Sequence, residues 1–318
     1  MRFAFAGGMT ISERLLRTLC EAGAVPDHVF GYPTELSHRS NYCALDGLSL
    51  RYGFPLSEVK DINHDSVKAV LKAIRPDWFC VFGWSQLLDR ETLQIPRLGT
   101  LGIHISKLPE GRGRAPVAWN LIHGNRESAV TFMLLKPEAD NGDIVAQRVF
   151  PIWWHDDAAT LVDRVNDVAC GQIAELLPAM REGNLPHVPQ DDAQATYWPR
   201  RTPADGLLDW NQTARKLYDF IRGTTRPFPG AFTYLNELKV TVWKAGWLEA
   251  STPQRPGTIL GPVQSHGAHA ECGLAVAASG GILILWEVET AAGSTFSGTM
   301  LADQAEEWKG LAFGGPPP

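Results

Sequence analysis

A histidine at position 104, a carboxylate at position 140 and a glycine-rich stretch between them are the residues of this chain best suited to chemistry. The histidine lies in Gly102-Ile103-His104-Ile105-Ser106-Lys107-Leu108-Pro109, and the carboxylate opens Asp140-Asn141-Gly142-Asp143, 36 residues further on. An imidazole can take up and return a proton near neutral pH, and a carboxylate beside it can orient the ring and stabilise its charged form. A base, an acid and a Gly-rich turn between strands suit acyl transfer to an amine better than they suit a binding module. Taken singly, a strand histidine is more often a satisfied structural group, and the Glu138-to-Asp143 segment reads as a solvated turn. The chemistry therefore depends on the two groups meeting at one edge of a sheet.

The elements needed to bring them there are legible as alternating apolar runs and helical patterns over residues 1–190. Met1 to Ala6, His28 to Tyr32, Trp78 to Phe82, Leu98 to Ser106, Val130 to Leu135 and Ile144 to Phe150 read as strands. Thr10 with Glu13 suggests a capping box, and Asp65 a cap, for helices carrying Leu15, Leu16 and Leu19, and Val67, Val70 and Leu71. Pro116 to His123 and Asp157 to Glu182 read as further helices. This rhythm predicts an α/β fold with a mainly parallel sheet covered on both faces and ligands at the carboxyl ends of its strands. His104 then sits at a strand end, where the chain enters Pro109-Glu110-Gly111-Arg112-Gly113-Arg114.

Two glycine-containing runs follow strands in the same manner. Gly7-Gly8 lacks the remainder of a dinucleotide fingerprint and reads as a tight strand-to-helix turn. The run Phe82-Gly83-Trp84-Ser85-Gln86-Leu87-Leu88 reads equally as core and turn or as a pocket wall, with Gly83 allowing close backbone approach and Trp84 able to face a flat ring. Proline-rich, polar residues then mark residues 191–205 as a linker. Residues 206–304 read as a second, mostly β domain with one helix from Asn211 to Arg222, and residues 305–318 as a frayed tail.

Composition sets outer limits. A formal charge of −6 and a pI near 5.9 give no general attraction to phosphate backbones, which disfavours a nucleic acid partner. Five dispersed cysteines without metal-like spacing read as reduced thiols, and His104, Asp140 and Asp143 would make a poor zinc set, so no metal is expected. With no leader-like N-terminus and no long apolar run, a cytoplasmic protein without membrane attachment is expected.

The motifs together resemble the 10-formyltetrahydrofolate-dependent formyltransferases, a family that includes methionyl-tRNA formyltransferase, the nucleotide-sugar N-formyltransferases and the formyltetrahydrofolate hydrolases. That family carries N-x-H-x-S-L-L-P, then R-G-x-x-P, then D-x-G-D; the matching text is Gly102 to Pro109, Arg112-Gly113-Arg114-Ala115-Pro116 and Asp140 to Asp143. Arg201 to Trp210 and Arg226-Pro227-Phe228-Pro229-Gly230-Ala231 are similar to its C-terminal domain. The resemblance implies a Rossmann-like catalytic domain, an OB-like second domain, 10-formyltetrahydrofolate as co-substrate, and catalytic roles for His104 and Asp140. It also implies a folate pocket lined by Phe82 to Leu88, Glu138 and Asp140. At position 102 the family has a catalytic asparagine, whereas this chain has Gly102. Loss of such a donor costs about 3 to 4 kcal/mol of transition-state stabilisation. A backbone N–H or an ordered water is expected to replace that donor, with Gly102 opening space for a water or a bulkier acceptor; the alternatives are that His104 alone suffices or that folate is bound without efficient transfer.

The family's tRNA enzymes need a basic face, but residues 33–64 set His38, Arg39, Arg51 and Lys60 against Glu35, Asp46, Glu58 and Asp61. A small amine acceptor is therefore expected, foremost a nucleotide-linked amino sugar. Arg112 and Arg114 could clamp its diphosphate, the alternative being salt bridges that hold their own loop; Ser106 and Pro116 complete the acceptor side. Methionyl-tRNA formylation, formyltetrahydrofolate hydrolysis, or folate binding without transfer because of Gly102 are the alternatives. The second domain could extend the acceptor groove or support a homodimer.

Overall fold

In the computed structural model, which describes residues 1–38, 41–265 and 271–316, the chain divides into two compact units. Arg39, Pro317 and Pro318 lie outside the described residues. The first unit comprises Met1–Pro116, Glu127–Pro151 and Val162–Pro199. Its elements run β1 (Phe3–Gly7), α1 (Thr10–Glu21), β2 (His28–Gly31), α2 (Asp46–Tyr52), β3 (Leu56–Glu58), α3 (Asp65–Ile74), β4 (Trp78–Val81), α4 (Arg90–Gln94), β5 (Gly99–His104) and β6 (Arg112–Gly113). After α5 (Pro116–Ile122) come β7 (Glu127–Leu134), β8 (Ile144–Pro151), α6 (Ala158–Glu182) and β9 (Tyr197–Trp198).

Seven strands form one sheet in the order β3-β2-β1-β4-β5-β7-β8. The first five are parallel, and β1 and β4 are buried along their whole length, as continuous apolar runs covered on both faces should be. The last two depart from a βαβ repeat: β7 runs antiparallel to β5, with His104 opposite Thr131 and Leu101 opposite Leu134, and β8 runs antiparallel to β7. The chain therefore leaves β7 beside the start of β5, where the Leu135 amide donates to Thr100.

Two expected helix starts differ in detail. Thr10 is the first residue of α1 rather than its cap, and Ser12 Oγ instead accepts from the Gly8 and Met9 amides at 3.1 Å each while donating to the Phe82 carbonyl at 2.6 Å. A Cβ on Gly7 would stand 2.6 Å from that Oγ, so the Gly7-Gly8 turn is already filled from within. At α3 the cap is His64, whose Nδ1 accepts from the Ser66 amide at 3.2 Å; Asp65 is the acid of the first turn.

The second unit holds Val117–Arg126, Ile152–Leu161 and Arg200–Pro318. Past α7 (Ala214–Thr224) its strands are β10 (Ala231–Leu235), β11 (Leu238–Leu248), β12 (Ile259–Gln264), β13 (Cys272–Ala278), β14 (Gly281–Thr290) and β15 (Thr295–Ser297), followed by α8 (Gly298–Trp308) and β16 (Phe313–Gly314). They pair antiparallel in the order β12-β13-β14-β11-β10-β16, with β15 on β14. α7 packs on β11 and α8 on β12 and β13. The segment read as a tail is structured because its large apolar groups are needed in this core: Phe313 stacks on Trp210 with ring centroids 5.6 Å apart, and Trp308 packs edge-on to Phe313.

All five cysteines are unpaired. Burial pushes the Cys20 thiol up to about 11 and raises that of Cys80 as well. Among the described residues, no helix is long and apolar enough to cross a membrane.

Candidate active site

β5 delivers His104 as its last residue, almost fully buried at 6% exposure. Its Nε2 lies 2.7 Å from the Gly111 carbonyl oxygen. A carbonyl can only accept, so Nε2 carries a proton, and Nδ1 is the ring nitrogen left for chemistry. Nδ1 faces Asp140 Oδ2 at 3.6 Å, a separation suited to a charge pair but longer than a direct hydrogen bond. The same Oδ2 accepts from the Gly113 amide at 2.8 Å. The imidazole is thus oriented by a backbone carbonyl, and the carboxylate stands at its other nitrogen.

Asp140 reaches His104 by an indirect route. Because β7 is antiparallel to β5, the loop from Leu135 to Asp143 starts at the far end of the histidine's strand and folds back over it. Asp140 adopts a left-handed backbone with φ +54°, which aspartate tolerates better than most residues. Two residues later the loop touches β7, for a Cβ on Gly142 would stand 1.7 Å from the Leu134 carbonyl oxygen. Gly142→Ala should therefore force the loop off the sheet at a cost of about 3 kcal/mol, read as a lowered denaturant midpoint, with transfer falling as Asp140 moves. An unchanged midpoint would mean that the loop does not need this close approach.

Gly102 is buried, and a Cβ added there would lie 2.3 Å from Leu135 Cδ2 and 2.7 Å from Leu135 Cγ. The expectation that this glycine opens space is corrected: an isobutyl group already fills the volume a larger side chain would enter. Leu135 itself packs against the core that includes Phe79, Val81 and Leu88.

The run expected to line a folate pocket is held closely from behind. Phe82 and Leu88 are buried, Gly83 has φ +67°, and Leu87 is exposed. Trp84 stacks on Tyr32 with ring centroids 3.9 Å apart, and Tyr32 Oη accepts from the Ser85 amide at 2.9 Å. One face of Trp84 is therefore taken by Tyr32, a partner not identifiable from residue spacing. Gln86 spans the Lys60-to-Ile62 segment, donating to the Lys60 carbonyl and accepting from the Ile62 amide. Beyond the run, hydrogen bonds from Lys68 and the Thr92 amide hold the Asp89 carboxyl down at about 2.

The acceptor-side residues divide. Arg112 is 2% exposed, and its guanidinium is spent on Gln190 Oε1 at 2.9 and 3.1 Å, Asp192 Oδ1 at 2.7 Å and Tyr197 Oη at 3.2 Å. It ties its loop to the segment after α6 and is not presented to a diphosphate, which corrects the clamp expectation for this residue. Arg114 is exposed. Ser106 is buried with its hydroxyl lacking a hydrogen-bond partner among the described residues, while its carbonyl accepts from Thr131 Oγ1 at 2.7 Å. Pro116 opens α5. Glu138 is exposed and accepts from Asn141 Nδ2 at 3.3 Å. No cluster of three His, Cys, Asp or Glu side chains with the geometry to hold a metal occurs among the described residues.

Comparison with known proteins supplies the family. Residues 32–177 match the formyl transferase family, and residues 200–305 match the formyl transferase C-terminal domain. The chain belongs to the formyl transferase family. Among solved structures, this family member resembles an N-formyltransferase from Helicobacter canadensis bound to folinic acid and dTDP-3-aminofucose, at TM-score 0.63 and 14% identity, over 90% of this chain and 98% of that one. It resembles HypX from Aquifex aeolicus in complex with tetrahydrofolic acid at TM-score 0.63 and 17% identity, over 97% of this chain but 48% of that one. Methionyl-tRNA formyltransferase from Clostridium thermocellum matches at TM-score 0.57 and 15% identity, over 87% and 99% of the two chains. At these identities the three establish a shared fold.

Proposed function

We propose that this formyl transferase moves the formyl group of 10-formyltetrahydrofolate to the primary amine of a small acceptor, with nucleotide-linked amino sugars as the acceptor class. The observation that carries the reading is the convergence of His104 and Asp140, 36 residues apart in sequence and 3.6 Å apart in space, at the carboxyl end of β5. The folate donor is supported by family membership and by relatives crystallised with folinic acid and tetrahydrofolic acid. The sugar acceptor is supported by the relative that binds dTDP-3-aminofucose.

In this reading the acceptor nitrogen attacks the formyl carbon, a C–N bond forms and the carbonyl oxygen becomes an oxyanion. The surplus N–H proton passes toward the Nδ1 edge of His104, where the Asp140 carboxylate stabilises the imidazolium that results. The bond from the formyl carbon to the folate nitrogen then breaks, that nitrogen takes a proton back from the ring, and tetrahydrofolate leaves. His104 serves as the proton carrier, and Asp140 supplies the charge beside it.

A tRNA acceptor is disfavoured by the balanced charge of residues 33–64 and by the engagement of the two described cations there. Lys60 pairs with Glu35, and the Arg51 guanidinium lies over the Tyr52 ring at 5.2 Å, so these cations are engaged within the chain. The test is a screen of dTDP-amino sugars, free amino acids and methionyl-tRNA with 10-formyltetrahydrofolate, following tetrahydrofolate release. Release that requires the amino-sugar nucleotide is expected. Equal release in buffer alone would replace the reading with hydrolysis, and donor binding without release under any condition would remove transfer altogether.

A further inference from the structure

We propose that Gln190, in the segment that follows α6, is a positioning residue for the Asp140 carboxylate. This rests on the reading of His104 and Asp140 given above and adds to it a side chain outside both matched family regions. The Gln190 amide nitrogen donates to the Asp140 carbonyl at 2.8 Å and to the Gly142 carbonyl at 2.7 Å. Both protons of one NH2 group are thus placed on the backbone of the turn that presents the carboxylate. Two carbonyls tied to one amide hold the left-handed backbone of Asp140, φ +54°, in place.

The amide cannot reverse its orientation. Its Oε1 receives two bonds from the buried Arg112, at 3.1 Å from Nε and 2.9 Å from Nη2, and a flip would set NH2 against a guanidinium and oxygen against two carbonyls. Upstream, Val188 and Ile144 exchange backbone hydrogen bonds at 2.8 and 2.9 Å, which fixes where Gln190 emerges. Downstream, β9 pairs with β6, so the segment is anchored on both sides of the contact.

The partners converge on three consecutive residues. The Gly111 carbonyl accepts from His104 Nε2, the Arg112 side chain holds Gln190, and the Gly113 amide donates to Asp140 Oδ2. Ring, turn and carboxylate are therefore referenced to three consecutive residues, Gly111 and the two of β6. Gln190 controls the Asp140 backbone while Gly113 controls its oxygen, and loss of the first leaves the carboxylate hinged on one bond.

The test is independent of the acceptor. In full-length protein with 15N-labelled histidine, the ring-nitrogen resonances of His104 are compared among wild type, Asp140→Asn, Gln190→Glu and Gln190→Met at one pH. Asp140→Asn defines the displacement caused by losing the carboxylate. Gln190→Glu keeps an acceptor for Arg112 but sets oxygen against the two carbonyls, and Gln190→Met removes the amide at similar size. Both are expected to shift the His104 Nδ1 resonance in the direction of Asp140→Asn by a third or more of its full effect. If one variant fails to fold the other decides, and Arg112→Lys, which breaks the fork onto Gln190, serves as the third. Wild-type His104 resonances in the folded Gln190 variants, alongside a displaced Asp140→Asn, would overturn the role of Gln190. An Asp140→Asn spectrum identical to wild type would instead overturn the His104–Asp140 reading on which it rests.

Discussion

Replacing His104 by alanine should lower formyl transfer by roughly 10³-fold while leaving donor binding within a few-fold of wild type. In the proposed reaction the ring at the end of β5 carries the proton between attacking and leaving nitrogens, with Nε2 committed to Gly111 and Nδ1 facing Asp140. Its removal also leaves the Gly111 carbonyl without that donor, a loss of about 1 to 3 kcal/mol in folding stability. His104→Gln separates the two effects. Glutamine can donate to Gly111 but cannot relay a proton, so stability should return while transfer stays low. Single-turnover rates beside denaturant midpoints make the comparison, and transfer by His104→Ala within tenfold of wild type would exclude the histidine from the proton path.

The second large effect concerns Gly102 and Leu135. Gly102→Asn alone should destabilise by about 1 to 3 kcal/mol, because its Cβ and amide enter volume that Leu135 occupies. The nearest atoms belong to a side chain rather than to backbone, so relief is available from the partner. In Gly102→Asn with Leu135→Ala the smaller residue vacates that volume, stability should recover, and a new amide donor beside His104 should raise transfer by about 10²-fold. Recovered stability without a faster single turnover would show that the amide does not meet the developing oxyanion. A Gly102→Asn single variant as stable as wild type would show that Leu135 moves aside without cost. Gly102 and Leu135 form an apolar contact between strand and loop, so the two positions are expected to respond as one unit.

The sheet was legible because buried parallel strands must be written as uninterrupted apolar runs, as Trp78–Val81 is, and His104 was legible because it ends such a run before a glycine-rich loop. What could not be read depends on direction. An apolar strand looks the same whether it lies parallel or antiparallel, so nothing in Glu127–Leu134 discloses that the loop carrying Asp140 starts at the wrong end of β5 and must fold back. Arg112 reads as an anion clamp because arginine usually sits at a surface; only the structure shows it 2% exposed and fully engaged. Gly102 looks like missing volume until Leu135 is seen to fill it. Gln190 gave no usable signal, for a polar residue after Pro189 in a proline-rich stretch has the composition of a connector.

The pairing of β6 with β9 bears on how chimeric enzymes of this fold should be cut. Gly111 and Gly113 lie so close to Trp198 that a methyl group on either would stand 2.7 Å from its ring or 2.3 Å from its carbonyl oxygen. Residues between α6 and Pro199 therefore travel with His104 and Asp140, whatever their resemblance to a tether. A graft that exchanges the C-terminal half at Gly183 would discard half of a two-strand brace; a splice after Pro199 retains it.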